Sequence, residues 1–253
     1  MIVFFNSLLK IHYVYTNNFN SITMFKSLFG GNKEEKHLKQ KLQQIEVHLE
    51  NKEFEKVISE GEDLLDKVSD KQRKTLVQML ALANFHSKEY EKALPYFRQL
   101  IELDKNNPDS HFNICTCFIL NKQPEQGLES LEEAINIYQE KGKKENMPIP
   151  YMIFYTICAL IDAEEYNLAF DQLNRLATVY KEMSITDTHF LYTRGYVPFH
   201  NLLEKVKDIL IGQTKTDSIE WLTEFASHLD EDGQAQVEEL IEDLKAEKLQ
   251  EEK

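Results

Sequence analysis

Reactive side chains are sparse in this sequence and do not gather. The tightest grouping is His111 with Cys115, four residues apart and so on one face of a helix, with Cys117 two further on and pointing elsewhere. A zinc site needs about four converging ligands, and this spacing supplies two, so His111 and Cys115 are read as core packing. His48, His86 and His200 have no carboxylate or second histidine at ligand spacing in a supporting context and are read as surface or boundary residues. The carboxylate runs Glu238-Glu239 and Glu242-Asp243 could do acid–base work only with one member desolvated in a cleft. In a Glu-rich stretch they are expected to be solvated. No nucleophile elbow, phosphate-binding Walker loop, dinucleotide fingerprint or metalloprotease helix occurs. No catalytic residue, metal or cofactor is therefore expected, and the chain is not read as an enzyme.

The elements that carry these residues are helical. Only eight Gly and six Pro occur in 253 residues, and Leu, Glu, Lys, Gln and Ala fill the long segments between them. The formal charge of −14 opposes a phosphate backbone, which excludes nucleic acid as an expected partner. That charge is uneven: residues 218–253 hold 12 acidic side chains and 3 Lys, while residues 1–44 hold 6 Lys and 2 Glu. Three cysteines, all in apolar stretches, argue against a disulfide framework and for a reducing, cytoplasmic setting. The longest uncharged apolar stretch, around Met152 to Ile161, falls short of the roughly 18 residues that would cross a bilayer, so no membrane span is expected.

Residues 1–31 read as an apolar but aperiodic leader closed by Gly30-Gly31. The text MFKSLFGGNKEEK beginning at Met24 has the look of an ordinary protein start, so residues 1–23 are read as an early start-codon assignment. Helices are expected from Asn32, a capping residue with Glu35 three positions on. Leu38, Leu42, Ile45 and Leu49 then recur at helical spacing, Asn51-Lys52-Glu53 turns the chain, and Phe54 to Val68 makes the return helix.

That hairpin repeats. Tyr90, Ala93, Phe97 and Leu100 are each followed 34 residues later by Pro124, Gly127, Leu131 and Ala134. A further copy holds Tyr166, Ala169, Leu173 and Leu176 after an insertion near KGKKENMP, and a weaker first copy holds Phe54, Val57, Gly61 and Leu64. The best copy runs from Lys74 to Asn107, with Leu80 and Ala81 as the large–small pair of its first helix and Phe97 as the aromatic of its second. These residues resemble the tetratricopeptide repeat (TPR), a 34-residue helix–turn–helix unit. The next copy departs more, with His111, Cys115 and Gly127 at positions the family fills with Trp, a small residue and Ala. Phe97 is expected between the helices of its hairpin. Gly127→Ala is expected to stabilise its helix, because Gly in a helix interior is about 1 kcal/mol worse than Ala.

The resemblance implies an all-α, right-handed solenoid of TPR-like hairpins over residues 32–183, with residues 184–253 as a C-terminal helical cap ending in a very acidic helix. Within the cap, Asp217 is expected to cap one helix and Asp232-Gly233 to separate it from the last. The family's concave groove maps onto Gln78, Leu82 and Phe85, then Phe112, Thr116 and Ile119, then Tyr151, Phe154, Cys158 and Ile161. This stripe is open to three readings: plain core, the seat of an external apolar peptide or helix, or a surface filled by the chain's own end. Some TPR domains grip acidic chaperone tails with Lys and Asn. Here Asn113 stands at one such position, but Leu42, Glu46, Tyr151 and Tyr155 occupy the others, so that clamp is not expected. The expected function is a non-catalytic adaptor or assembly factor binding a protein or peptide in the groove. The alternative is a regulatory sensor whose solenoid changes curvature on binding a peptide.

Overall fold

The computed structural model describes residues 33–142, 146–212 and 218–251. The leader over residues 1–31 and the capping residues Asn32 and Asp217 lie outside the described residues. Every regular element among the described residues is an α-helix. In chain order they are α1 (Lys33–Glu50), α2 (Phe54–Glu62), α3 (Asp70–His86), α4 (Tyr90–Leu103), α5 (Pro108–Leu120), α6 (Pro124–Lys141), α7 (Ile149–Asp162), α8 (Tyr166–Met183), α9 (Thr188–Thr193), α10 (Phe199–Gly212), α11 (Ser218–Ala226) and α12 (Glu231–Glu251).

Four hairpins share one turn. Lys52, Lys88, Lys122 and Glu164 hold φ of 60°, 62°, 61° and 64°, the left-handed region, and lie 36, 34 and 42 residues apart. The backbone bonds around them match. The Lys88 N–H donates to the Phe85 carbonyl at 3.0 Å and the Glu89 N–H to the Asn84 carbonyl at 2.9 Å. The same two bonds recur as Lys52 to Leu49 and Glu53 to His48, Lys122 to Ile119 and Gln123 to Phe118, and Glu164 to Ile161 and Glu165 to Leu160. This is the Schellman closure, which satisfies the last carbonyls of one helix while the next begins one residue later. The sequence period is therefore a structural period.

The described helices fall into two compact units, the first running through Asn146 and the second from Met147. In the first, α1 presents Leu42, Ile45 and Leu49 to Val57 of α2 and to Leu76, Met79 and Leu80 of α3. Another face of α3, with Val77, Ala81 and Phe85, joins Ala93, Phe97 and Leu100 of α4 and Ile114, Cys117 and Phe118 of α5. Each hairpin thus supplies the cover that its neighbour lacks, the logic of stacked repeats. Phe97 is 2% exposed between the helices of its hairpin, as its position in the repeat predicts.

In the second unit α7 pairs with α8, and α10 packs on both and on α12. Phe199 sits tilted between Tyr180 and Phe225 at centroid distances of 5.7 and 6.0 Å, and Trp221 stacks on Phe225 at 5.2 Å. The Trp221 ring N–H donates to the Asn174 side-chain carbonyl at 2.8 Å. The helix expected to close the repeats, α8, therefore shares one core with the expected cap. The break between compact units falls between Asn146 and Met147.

Three local expectations change. α2 ends at Glu62 because the following backbone tightens to three-residue spacing, with Leu64 donating to Gly61 and Lys67 to Leu64. The last helix starts at Glu231, not beyond Asp232-Gly233. Asp230 caps it, accepting the Gly233 N–H at 2.9 Å, so Gly233 sits inside the first turn. The third concerns Gly127, which is a contact point: a Cβ there would lie 2.5 Å from Ile119 Cγ1 and 2.9 Å from the Cys115 carbonyl oxygen. The expectation that Gly127→Ala stabilises is thereby reversed, because α5 and α6 approach too closely for a methyl group.

Candidate functional site

The stripe mapped from the repeat register is built on helices that are apolar nearly all round. Every residue of α7 from Met152 to Ile161 is buried, and α5 is buried from Phe112 to Ile119. Such helices are interior elements. In the first unit Leu82 is 6% exposed within the cluster shared by α1, α2 and α3. Phe85 is 6% exposed and meets Tyr90 and Phe97 edge-on at 5.5 and 6.1 Å, so its ring belongs to the hairpin core. Phe112 is 1% exposed, Ile119 lies against Gly127, and the buried Thr116 hydroxyl donates to the Asn113 carbonyl at 3.0 Å. Gln78 is half-buried.

In the second unit Phe154 is buried edge-on against Tyr155 at 5.6 Å, and Ile161 is buried as well. Cys158 faces Lys205 and Asp208 of α10, and burial pushes its thiol up to about 12. Tyr151 is half-buried and tilted against Tyr155 at 6.2 Å. Burial raises its phenol, and the nearby Tyr192 raises it further. Of the ten residues of the mapped stripe, Gln78 and Tyr151 are half-buried and the other eight pack inside.

The grouping His111, Cys115 and Cys117 does not converge. Cys115 and Cys117 are fully buried, the Cys117 thiol donates to the Tyr90 carbonyl, and burial pushes that thiol up to about 12. The ring of His111 turns instead to the Lys105 carbonyl at 3.3 Å. Among the described residues no three His, Cys, Asp or Glu side chains are placed to hold a metal ion, and no helix is long and apolar enough to cross a membrane. Glu238, Glu239, Glu242 and Asp243 are exposed on α12.

Two groupings escape a reading of spacing. His48 contacts Glu53 through Nδ1 and lies 3.6 Å from Glu60 through Nε2, which closes the first hairpin turn. The pairing is invisible as a helical period because it crosses the turn. In the second unit, α9 carries Phe190 and Tyr192, with the Arg194 guanidinium 3.8 Å over the Phe190 ring. Tyr192 is 67% exposed, the most exposed large apolar side chain among the described residues. A run of aromatic residues in a short irregular segment was the available signal.

No family model matches the chain, and no curated relative matches it. Among solved structures, PilW, a type IV pilus biogenesis factor, is similar at 13% identity over 83% of this chain and 93% of its own, with a TM-score of 0.43. A chain from Bacteroides ovatus described as a candidate protein-binding protein is similar at 14% identity over 76% of this chain and 97% of its own, with a TM-score of 0.34. Likenesses this distant carry no argument about function. What the chain does is argued from its own hairpins and its own accessible side chains.

Proposed function

We propose that the chain is a non-catalytic adaptor or assembly factor of TPR type that binds a protein or peptide partner. The observation that carries this reading is the fourfold recurrence of one Schellman turn at the repeat of the sequence, each closing one helical hairpin. Stacked hairpins of this kind offer extended surfaces rather than enclosed reaction chambers. On the helices mapped to the groove, partner contact runs through Gln78 in the first unit and, separately, through Tyr151 in the second. Three free, buried cysteines with no disulfide agree with a reducing, cytoplasmic setting.

The test is affinity purification of the tagged full chain from its source cell, comparing wild type with Gln78→Glu and Tyr151→Lys. Both positions are accessible, so both variants should melt close to wild type. A co-purifying protein that is retained by wild type and lost from at least one of these variants supports the reading. Recovery of nothing above background, or of proteins indifferent to both substitutions, counts against it.

A further inference from the structure

The second unit carries a surface whose composition differs from the rest of the chain. Residues 146–161 contain no charged side chain, and residues 188–203 contain no acidic one, within a chain of 43 Asp and Glu. The structure brings these two stretches together. Gly195, at φ 76°, lies against Pro148, a Cβ there meeting Pro148 Cγ at 3.1 Å. That contact seats the α9 turn on the start of α7. Tyr151 lies in the first turn of α7, near enough to Tyr192 of α9 for that phenol to raise its own.

The surface is organised, not merely apolar. Leu191 anchors α9 in the core, and the Tyr196 N–H donates to the Leu191 carbonyl at 2.9 Å. The Tyr180 hydroxyl donates to the Val197 carbonyl at 2.5 Å and fixes the exit of the turn. Around this frame Tyr192 and Arg194 are exposed, while Tyr151, Phe190 and Tyr196 are half-buried. Tyr and Arg are among the residue types enriched at binding hot spots, Tyr because it presents a large rigid area at low entropic cost. Stacking over Phe190 orients the Arg194 guanidinium, and no carboxylate pairs with it among the described residues. The sequence-adjacent acid, Asp187, has its carboxylate turned to the Phe190 N–H at 2.6 Å as the cap of α9.

We infer that this Tyr151–Phe190–Tyr192–Arg194–Tyr196 surface docks an acidic peptide segment of a partner protein, with an apolar side chain on the tyrosines and a carboxylate on Arg194. The occupant follows from charge complementarity. A chain of net charge −14 repels acidic segments over most of its surface, and an oriented guanidinium with no carboxylate paired to it among the described residues is where such a segment can settle. Guanidinium matches carboxylate bidentately, which adds register to attraction. The inference rests on the protein-binding reading and names the chemistry of the partner and one of its seats.

The test selects a random dodecapeptide library on the full chain and titrates the most enriched peptides, fluorescently labelled, against wild type, Arg194→Glu, Tyr192→Ser and, as a control within the first unit, Lys36→Glu. The expected result is enrichment of Asp or Glu beside apolar residues. Affinity should fall by roughly tenfold or more in Arg194→Glu, by roughly fivefold in Tyr192→Ser, and hardly at all in Lys36→Glu. Arg194→Gln, with the same expected direction, replaces the charge reversal if that variant melts low. Absence of enrichment, peptides without acidic residues, or equal binding by wild type and Arg194→Glu would overturn the inference. A cellular partner that is retained by Arg194→Glu but lost from Gln78→Glu or Tyr151→Lys leaves the protein-binding reading standing and removes this one.

Discussion

At the scale of single residues, the informative positions are those where a small change meets a fixed neighbour. Gly127→Ala gains about 1 kcal/mol of helix propensity but places a methyl against Ile119 and the Cys115 carbonyl, a backbone atom that cannot swing away. Overpacking of this kind costs about 1–3 kcal/mol, so thermal unfolding of Gly127→Ala is expected below wild type. An unchanged or higher melting temperature would show that α5 and α6 can separate freely. Phe112, at 1% exposed, separates core from open groove. Phe112→Glu buries a carboxylate without a partner, costs several kcal/mol, and should abolish cooperative melting near wild-type temperature. A near-native melting curve would instead mean that this ring faces solvent.

Asp230 joins two segments by accepting from the Thr186 N–H at 2.9 Å, the Thr186 hydroxyl at 2.5 Å and the Gly233 N–H at 2.9 Å. Burial alone would raise its carboxyl, but these donors outweigh it and hold the group below its usual 3.8. A folded-state value below the unfolded one means stability that is present above that usual value and lost as pH falls through the folded one. Asp230→Asn turns one acceptor into a donor facing an N–H, at about 1 kcal/mol or more. Its melting temperature should lie below wild type at neutral pH, and the gap should close in acid. A gap that persists unchanged in acid would contradict this account. The spacing of Phe97 and the apolar positions made their burial readable, whereas the reversal at Gly127 depended on an interhelical distance that no one-dimensional pattern contains.

At the scale of elements, the hairpin turn is the unit of the fold. Lys88 occupies the left-handed region, which costs a side-chain-bearing residue roughly 1–2 kcal/mol. Lys88→Gly should therefore melt at or slightly above wild type, since relief of strain offsets the entropy of Gly in the unfolded chain. Lys88→Ile should melt well below Lys88→Gly, because a β-branched residue fits this region worst. Equal melting of the two variants would show that the turn is not held at positive φ. The period of these turns was legible because Tyr90, Pro124 and Tyr166 mark the residue after each one. Their conformation was less so, since Lys and Glu, rather than Gly, fill the left-handed position. The end of α2 at Glu62 and the start of α12 at Glu231 are hidden from the sequence for a related reason. Both are decided by local hydrogen bonds, of Leu64 to Gly61 and of Gly233 to Asp230, that leave the apolar spacing unchanged.

At the scale of the whole molecule, composition anticipated an all-α chain, and the described residues hold helices alone. The mapped stripe was less legible. The repeat register assigns Phe85 and Ile119 to a groove, yet their neighbours in three dimensions, Phe97 and Gly127, make them core. What remains accessible, Gln78 and Tyr151, is what a binding protein could use. The most direct test places a photo-crosslinking amino acid at Gln78, at Tyr151, and at the exposed Glu140 as control, each in the full chain expressed in its source cell. The adaptor account predicts a discrete adduct with another protein at Gln78 or Tyr151 that is absent at Glu140. Illumination that yields no protein adduct at either position, or the same adducts at all three, would contradict it.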